Sequence, residues 1–105
     1  MALAITLAFP QVIYADCGMA SFYGKRHSGK TMANGKRFNP NKMTAAHKTL
    51  PLGSMIKVRY KSKSITVKIT DRGPYIRGRK LDLSETAAKY LGFYNKGVAH
   101  VCYSH

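Results

Sequence analysis

The clearest pattern of hydrophobic and polar positions lies in the middle of the chain. In residues 64–70, isoleucine and valine alternate with serine, threonine and lysine, the period of a strand with one buried face. Residues 55–60 also predict a strand, and only residues 61–63 separate the two segments. Because that link is so short, the pattern predicts a β-hairpin.

Shorter apolar segments predict three further strands. They lie at residues 19–23, which end in two aromatic side chains, at residues 80–83, and at residues 97–103. Residues 24–42 are rich in Gly, Lys, Arg, Asn and Ser, and a brief apolar stretch follows at 43–47. A polar loop of this length in a small domain is often functional.

One short helix is predicted over residues 85–91. Ser84 is a good N-cap, Glu85 at the first helical position suits the helix dipole, and Gly92 ends the helix. The sum is a mainly β chain with one short helix, compatible with a small closed barrel.

The length of 105 residues corresponds to one domain, preceded by an apolar segment. Residues 1–9 carry no charge, and Pro10 and the small residue Ala15 follow. This predicts a secretory signal peptide over residues 1–15, the alternative being a strand of the core. No apolar stretch reaches the 18 or so residues that a membrane span requires.

The two cysteines support export. Cys17 follows the predicted cleavage site, and Cys102 belongs to the last predicted strand. Two cysteines at opposite ends of a small secreted domain predict a disulfide between its first and last strands. A lipid on Cys17 is the alternative, although Asp16 is not the small residue that a lipoprotein signal favours before the cysteine.

The charge of the chain points to an anionic partner. Lys and Arg number 18 against 4 Asp and Glu, a formal net charge of +14. Nucleic acid, acidic lipid and bacterial cell wall all fit this charge, as does a merely well-solvated surface. Export favours the cell wall.

The scarcity of acids narrows any carboxylate chemistry to three residues. Asp16 adjoins the predicted cleavage site, which leaves Asp71, Asp82 and Glu85. Asp71 falls where the second hairpin strand ends and Gly73 turns the chain. Glu85 is explained by its place at the helix start.

Six motifs in register make the chain resemble the rare lipoprotein A (RlpA) family. They are residues 18–24, 31–35, 44–53, 70–75, 78–84 and 97–99. The resemblance covers about residues 18–103 and implies a six-stranded double-psi β-barrel domain over residues 18–105. It also implies lytic transglycosylase activity on peptidoglycan glycan strands, and kinship with expansins, which share the barrel without known hydrolysis.

The implied reaction requires few groups. A lytic transglycosylase protonates the glycosidic oxygen and lets the muramyl 6-hydroxyl close an anhydro ring, so one carboxyl group can act first as acid and then as base. We expect a monomer in the periplasm or cell envelope, without nucleic acid, metal or other cofactor. Asp71 is the expected acid/base residue, and Asp82 and His47 are the further candidate catalytic residues. The candidate substrate-binding residues are Tyr23, Asn34, Arg72 and Arg79.

Each candidate also has a structural alternative. Asp71 could cap a turn, Asp82 could cap or pair with Arg79, and His47 could be a core histidine bonded to the backbone. Tyr23 could pack in the barrel rather than stack on sugar rings. For the arginines and Asn34, an ordinary polar surface role competes with substrate binding.

Two positions depart from the family pattern. After Asn34-Gly35, many family members carry Glu and, three residues later, Asp, whereas this chain has Lys36 and Asn39. Neither replacement can act as a general acid in the same manner. The alternative function is therefore an expansin-like module that binds cell-wall glycan without cleaving it.

Overall fold

The computed structural model describes residues 11–105 as one β-barrel. Most of the predicted signal peptide, residues 1–10, lies outside the described residues. A short 3-10 helix at Lys25–His27 accompanies one α-helix and six strands. The strands are β1 (Asp16–Tyr23), β2 (Thr44–Ala46), β3 (Met55–Tyr60), β4 (Lys63–Asp71), β5 (Arg79–Ser84) and β6 (Ala99–Tyr103), and the helix is α1 (Glu85–Leu91).

The six strands close on themselves in the order β1-β5-β2-β4-β3-β6. β1 pairs with β5, and β2 with β4, in parallel, while the remaining pairs are antiparallel. This confirms the prediction of a mainly β, six-stranded barrel with one helix. Closure leaves no free sheet edge among these strands. Among residues 11–105, no helix combines the length and hydrophobicity needed to cross a bilayer.

The alternating pattern places one face of the predicted hairpin in the core. In β3, every second side chain is buried, as are Val67 and Ile69 of β4. The two strands pair in register from Met55 opposite Lys68 to Tyr60 opposite Lys63. The outward positions carry the lysines, so the same alternation that fills the core also makes the surface cationic.

The helix forms where its local sequence predicts it. The Ser84 hydroxyl accepts a hydrogen bond from the Ala87 amide at 3.3 Å, and Gly92 ends the helix with φ of 94°, which favours glycine. Glu85, although buried, pairs with Lys89 at 3.4 Å. α1 thereby closes over one side of the barrel core.

Two elements are absent from the sequence prediction. The apolar stretch at 43–47 contains β2, whose three residues are all buried between β4 and β5. A strand buried on both faces lacks alternation, so periodicity cannot reveal it. The 3-10 helix lies within the polar loop predicted over residues 24–42.

The first and last strands are joined covalently. Cys17 in β1 lies opposite Cys102 in β6, their sulfur atoms are bonded, and their Cα atoms are 4.0 Å apart. The link spans 85 positions of sequence, so it restricts the unfolded chain strongly.

We expect the double variant Cys17→Ser, Cys102→Ser to lower the free energy of unfolding by about 2–4 kcal/mol, because the unfolded chain regains loop entropy. Urea unfolding followed by circular dichroism measures the change. The parent protein in a thiol reductant is the matched control and should lose a similar amount. A loss below about 1 kcal/mol would contradict the expectation.

Candidate active site

A groove of about 490 Å³ opens at one end of the barrel and contains both candidate aspartates. Its walls come from the ends of β1, β4 and β5 and from the loops that follow β1 and β4. The lining includes Tyr23, Asp71, Arg72, Arg79 and Asp82. Five of the seven candidate site residues therefore meet in one place.

The strand order sets the spacing of the two acids. Ala46 of β2 pairs with Asp71 of β4 on one side and with Asp82 of β5 on the other. Neighbouring strands lie about 5 Å apart, so the two Cα atoms are about 10 Å apart across β2. Both aspartates line the groove, one on either side of β2.

Asp71 is held by the backbone. Its Oδ1 accepts hydrogen bonds from the amides of Ala33 and Arg72, both at 2.9 Å. No donor to its Oδ2 is found among residues 11–105. Asp71 therefore caps its own turn and joins the long loop to β4, while the same carboxyl group lines the groove. At the turn, Gly73 adopts φ of 120°, a conformation that excludes most other residues.

Asp82 is the acid whose environment favours a proton. Burial raises the pKa of Asp82 from 3.8 to about 6, with a smaller raising effect from the charge of Asp71. The Ser21 hydroxyl donates to Asp82 Oδ1 at 3.1 Å, and this hydrogen bond and the charge of Arg79 lower the pKa in part. Asp82 can thus hold a proton in mildly acidic solution.

Tyr23 lines the groove, and its ring is packed against other aromatic side chains. Its ring packs against Phe38 at 4.4 Å and against the His27 ring at 5.8 Å, between centroids. Burial, and then the charges of Asp71 and Asp82, raise the pKa of the Tyr23 phenol above its usual value. The hydroxyl is buried without a hydrogen-bond partner among residues 11–105.

His47 lies outside this groove and supports the turn beside it. Its Nδ1 accepts from the amides of Thr49 and Leu50, both at 3.0 Å, and its Nε2 lies 3.1 Å from the Tyr103 hydroxyl. Burial, followed by the charge of Arg72, lowers the pKa of His47. Arg72 donates to the carbonyl oxygens of His47 at 3.0 Å and of Leu50 at 2.7 Å.

Asn34 also lies outside the groove lining. Its side-chain Oδ1 accepts a hydrogen bond from the backbone amide of Lys36 at 2.9 Å, and its own backbone amide donates to the Thr70 carbonyl oxygen at 3.1 Å. It thereby shapes the turn around Gly35. Lys36 is exposed at this turn and does not line the groove.

Two groove residues were missed in the sequence. Ser21 alternates with core positions in β1, and only the β1–β5 pairing brings it opposite Asp82. His27 belongs to no recognisable motif in the sequence, yet the 3-10 helix contains it and it lines the groove. No group of three or more potential metal ligands occurs among residues 11–105.

Comparison with known proteins agrees with the barrel. A family model described as lytic transglycolase matches residues 15–103. The endolytic peptidoglycan transglycosylase RlpA of Pasteurella multocida is 47% identical over 90 residues, covering 84% of this chain and 31% of that protein. The protein of the same name from Rickettsia prowazekii is 48% identical over 93 residues, covering 84% and 29%. The chain thus spans about a third of the length of these relatives.

Solved structures share the fold at lower identity. The Streptomyces papain inhibitor has a TM-score of 0.67 at 20% identity, covering 90% of this chain and 97% of the inhibitor. The expansin of Clavibacter michiganensis has a TM-score of 0.65 at 26% identity, covering 83% and 48%. The resemblance to RlpA proteins is confirmed, and because the family model matches the barrel from end to end, the chain belongs to the lytic transglycolase family.

Proposed function

We propose that this domain is a peptidoglycan lytic transglycosylase that cleaves glycan strands and leaves an anhydro-muramyl end. The observation that carries the proposal is the pair of carboxyl groups in one groove. Asp71 is fixed by two backbone amides, and burial raises the pKa of Asp82 to about 6. The names of the relatives, which are peptidoglycan transglycosylases, support the choice of substrate.

The two acids divide the proton transfers in this proposal. Protonated Asp82 gives its proton to the glycosidic oxygen as the bond from that oxygen to C1 breaks. The negative charge of Asp71 stabilises the oxocarbenium-like sugar. The muramyl 6-hydroxyl then attacks C1, and its proton passes to Asp71. Asp71 releases this proton to solvent and Asp82 takes up a proton from solvent, which restores both acids for the next cycle.

The remaining candidates bind or position. Arg79 lines the groove and its charge acts on Asp82, and we assign it hydrogen bonds to the glycan. Arg72 and His47 together hold the turn at 47–50, so we assign them a positioning role on Asp71. Asn34 positions the loop whose Ala33 amide binds Asp71.

We further propose that the protein acts in the periplasm or cell envelope as a monomer. The apolar, uncharged start of the chain, the bonded cysteines and the substrate of the relatives support export. A net charge of +14 favours the anionic cell wall and opposes self-association.

A binding module without turnover is the second candidate. It is favoured by Lys36, a cation at the position where the resemblance implies a glutamate, on the loop that contacts Asp71 through Ala33. Lys36 lies outside the groove, which retains its cations and apolar walls for holding a glycan.

Separate Asp71→Asn and Asp82→Asn variants should each lower the yield of anhydro-muramyl products at least about 100-fold, because each removes one proton transfer. Mass spectrometry of digests of purified glycan strands measures the yield. Asp16→Asn, the same change outside the groove, should retain activity. A parent protein that pellets with peptidoglycan but releases no such products would establish the binding module instead.

The rate of cleavage should fall as pH rises above about 6, by about tenfold per unit, because Asp82 must be protonated to act as the acid. Initial rates between pH 5 and 8 on soluble glycan strands measure this dependence. A rate that increases across that interval would remove Asp82 from the acid role.

Asp82→Asn should raise the free energy of unfolding at pH 7.5 by about 1–2 kcal/mol, allowing for its partial exposure to solvent. The folded-state pKa, about 6, exceeds the ordinary 3.8, so the folded state binds the proton more tightly. That contribution to stability is complete below pH 3.8 and is lost as pH rises through 6. Urea unfolding at pH 4 and 7.5 should therefore show the gain only at the higher pH.

A further inference from the structure

A second cavity lies beside the groove and is rich in cations. It measures about 250 Å³, and its lining consists of His47, Lys48, Thr49, Gly78, Arg79 and Lys80. Three of these residues carry a permanent positive charge, and none is acidic. Among residues 11–105, no carboxylate forms a salt bridge with Lys48, Arg79 or Lys80. The cavity therefore gathers positive charge that no direct ion pair in this part of the chain neutralises.

A β-bulge explains why two neighbouring cations reach the same cavity. Met19 of β1 pairs with Arg79 of β5, and the next residue, Ala20, pairs with Leu81. Lys80 is therefore the extra residue of a bulge in β5. Successive side chains of a regular strand point to opposite faces, whereas Arg79 and Lys80 both line the cavity. Bulges of this kind often redirect a side chain beside a functional site.

Gly18 of β1 makes room for the Lys80 side chain. A Cβ atom at position 18 would collide with Lys80 Cγ, so the lysine stem crosses β1 directly over the bare glycine. Gly18 is not among the glycines with positive φ, and its backbone would accept another residue. The space for Lys80 is therefore the feature that calls for glycine here.

The opposite wall of the cavity is also held in place. Arg72 donates to the carbonyl oxygens of His47 and Leu50, which fixes the turn that carries Lys48 and Thr49. His47 Nδ1 accepts from the amides of Thr49 and Leu50 within the same turn. The cavity is thus built from a bonded turn and a bulged strand, and not from lysines scattered over the surface.

The charge and the donors of this cavity suit a phosphate group. A phosphate ester carries a charge of about −1.5 to −2 at pH 7 and presents three acceptor oxygens, whereas a carboxylate carries a single charge. The guanidinium group of arginine matches phosphate oxygens in pairs, and lysine binds them as a point charge. Thr49 adds a hydroxyl donor to the lining.

We propose that Lys48, Arg79 and Lys80 form a binding site for a phosphate group at the side of the groove. The phosphate can belong to a soluble phosphate ester or to a lipid headgroup, because both present the same oxygens. Arg79 is the one residue that lines both the cavity and the groove. Phosphate binding at this site does not depend on whether the groove cleaves glycan.

A titration at constant ionic strength tests the site. Sodium phosphate is added to the isotope-labelled chain at pH 7.5, with sodium chloride holding the ionic strength at about 0.15 M. The backbone amide NMR signals of Lys48, Thr49 and Lys80 should shift and saturate with a Kd on the order of 1 mM. Sodium acetate should bind at least about tenfold more weakly. Shifts that do not saturate, or equal affinities for the two anions, would overturn the proposal.

Matched double variants separate this cavity from the overall charge. Lys48→Gln with Lys80→Gln should weaken phosphate binding at least about tenfold, because two of the three cations are lost. Lys57→Gln with Lys68→Gln removes the same charge from exposed positions of the hairpin and should change the affinity less than about twofold. Equal losses in the two double variants would reveal an effect of net charge alone and overturn the proposal.

Gly18→Ala alters the cavity without altering any charge. The new methyl group displaces the Lys80 stem, so phosphate should bind at least about threefold more weakly at unchanged net charge. Thermal unfolding shows whether the variant is folded. Parent affinity in a folded Gly18→Ala protein would remove Lys80 from the site and overturn the proposal. The double variants provide the test if Gly18→Ala does not fold.

Vesicles identify the source of the phosphate. The parent and both double variants are sedimented with phosphatidylglycerol vesicles, and phosphatidylcholine vesicles serve as the control without net charge. A greater loss of vesicle binding in the Lys48 and Lys80 variant than in the Lys57 and Lys68 variant would support a site for a lipid headgroup. Equal losses on vesicles, with the difference in phosphate titration retained, would support a site for a soluble phosphate ester.

Discussion

The backbone pairing of β2 with β4 and β5 is the constraint on which the groove depends. β2 is only three residues long and fully buried. It lies between β4, which carries Asp71, and β5, which carries Asp82, and pairs with both. Main-chain hydrogen bonds fix such a spacing more firmly than side-chain contacts can, because every strand of a closed barrel is bonded on both edges. The separation of Asp71 and Asp82 is therefore a property of the barrel and not of the loops around it.

Burial of Asp82 favours its proposed role as an acid but lowers the stability of the fold when Asp82 is ionised. The low polarity that raises the pKa of Asp82 also makes its ionised form unfavourable in the native protein. Ser21 and Arg79 offset part of this cost but leave the pKa raised. Asp71 lies in a different environment, where two amides orient one oxygen. Two chemically identical side chains are thereby given different properties within one groove.

The sequence predicted those elements that short segments of the chain determine on their own. Ser84 and Gly92 define the helix, and alternation defines the hairpin, because caps and periodicity are local. β2 was not predicted because a strand buried on both faces has no alternation of apolar and polar residues. The scarcity of acids and the motif resemblance identified Asp71 and Asp82 as candidates, but only the long-range pairing of β1 with β5 places Ser21 opposite Asp82. Desolvation of a carboxyl group likewise depends on residues distant in sequence, so no local pattern could have predicted it.

The link between Cys17 and Cys102 also has a mechanical consequence. The cysteines lie opposite each other near the outer ends of the first and last strands, so the domain's entry and exit points are adjacent. A pulling force applied at these two points is carried by the covalent bond and bypasses the 85-position segment that builds the barrel. The groove is thereby shielded from tension, a useful property for a domain that we expect to hold on to a polymer network under load.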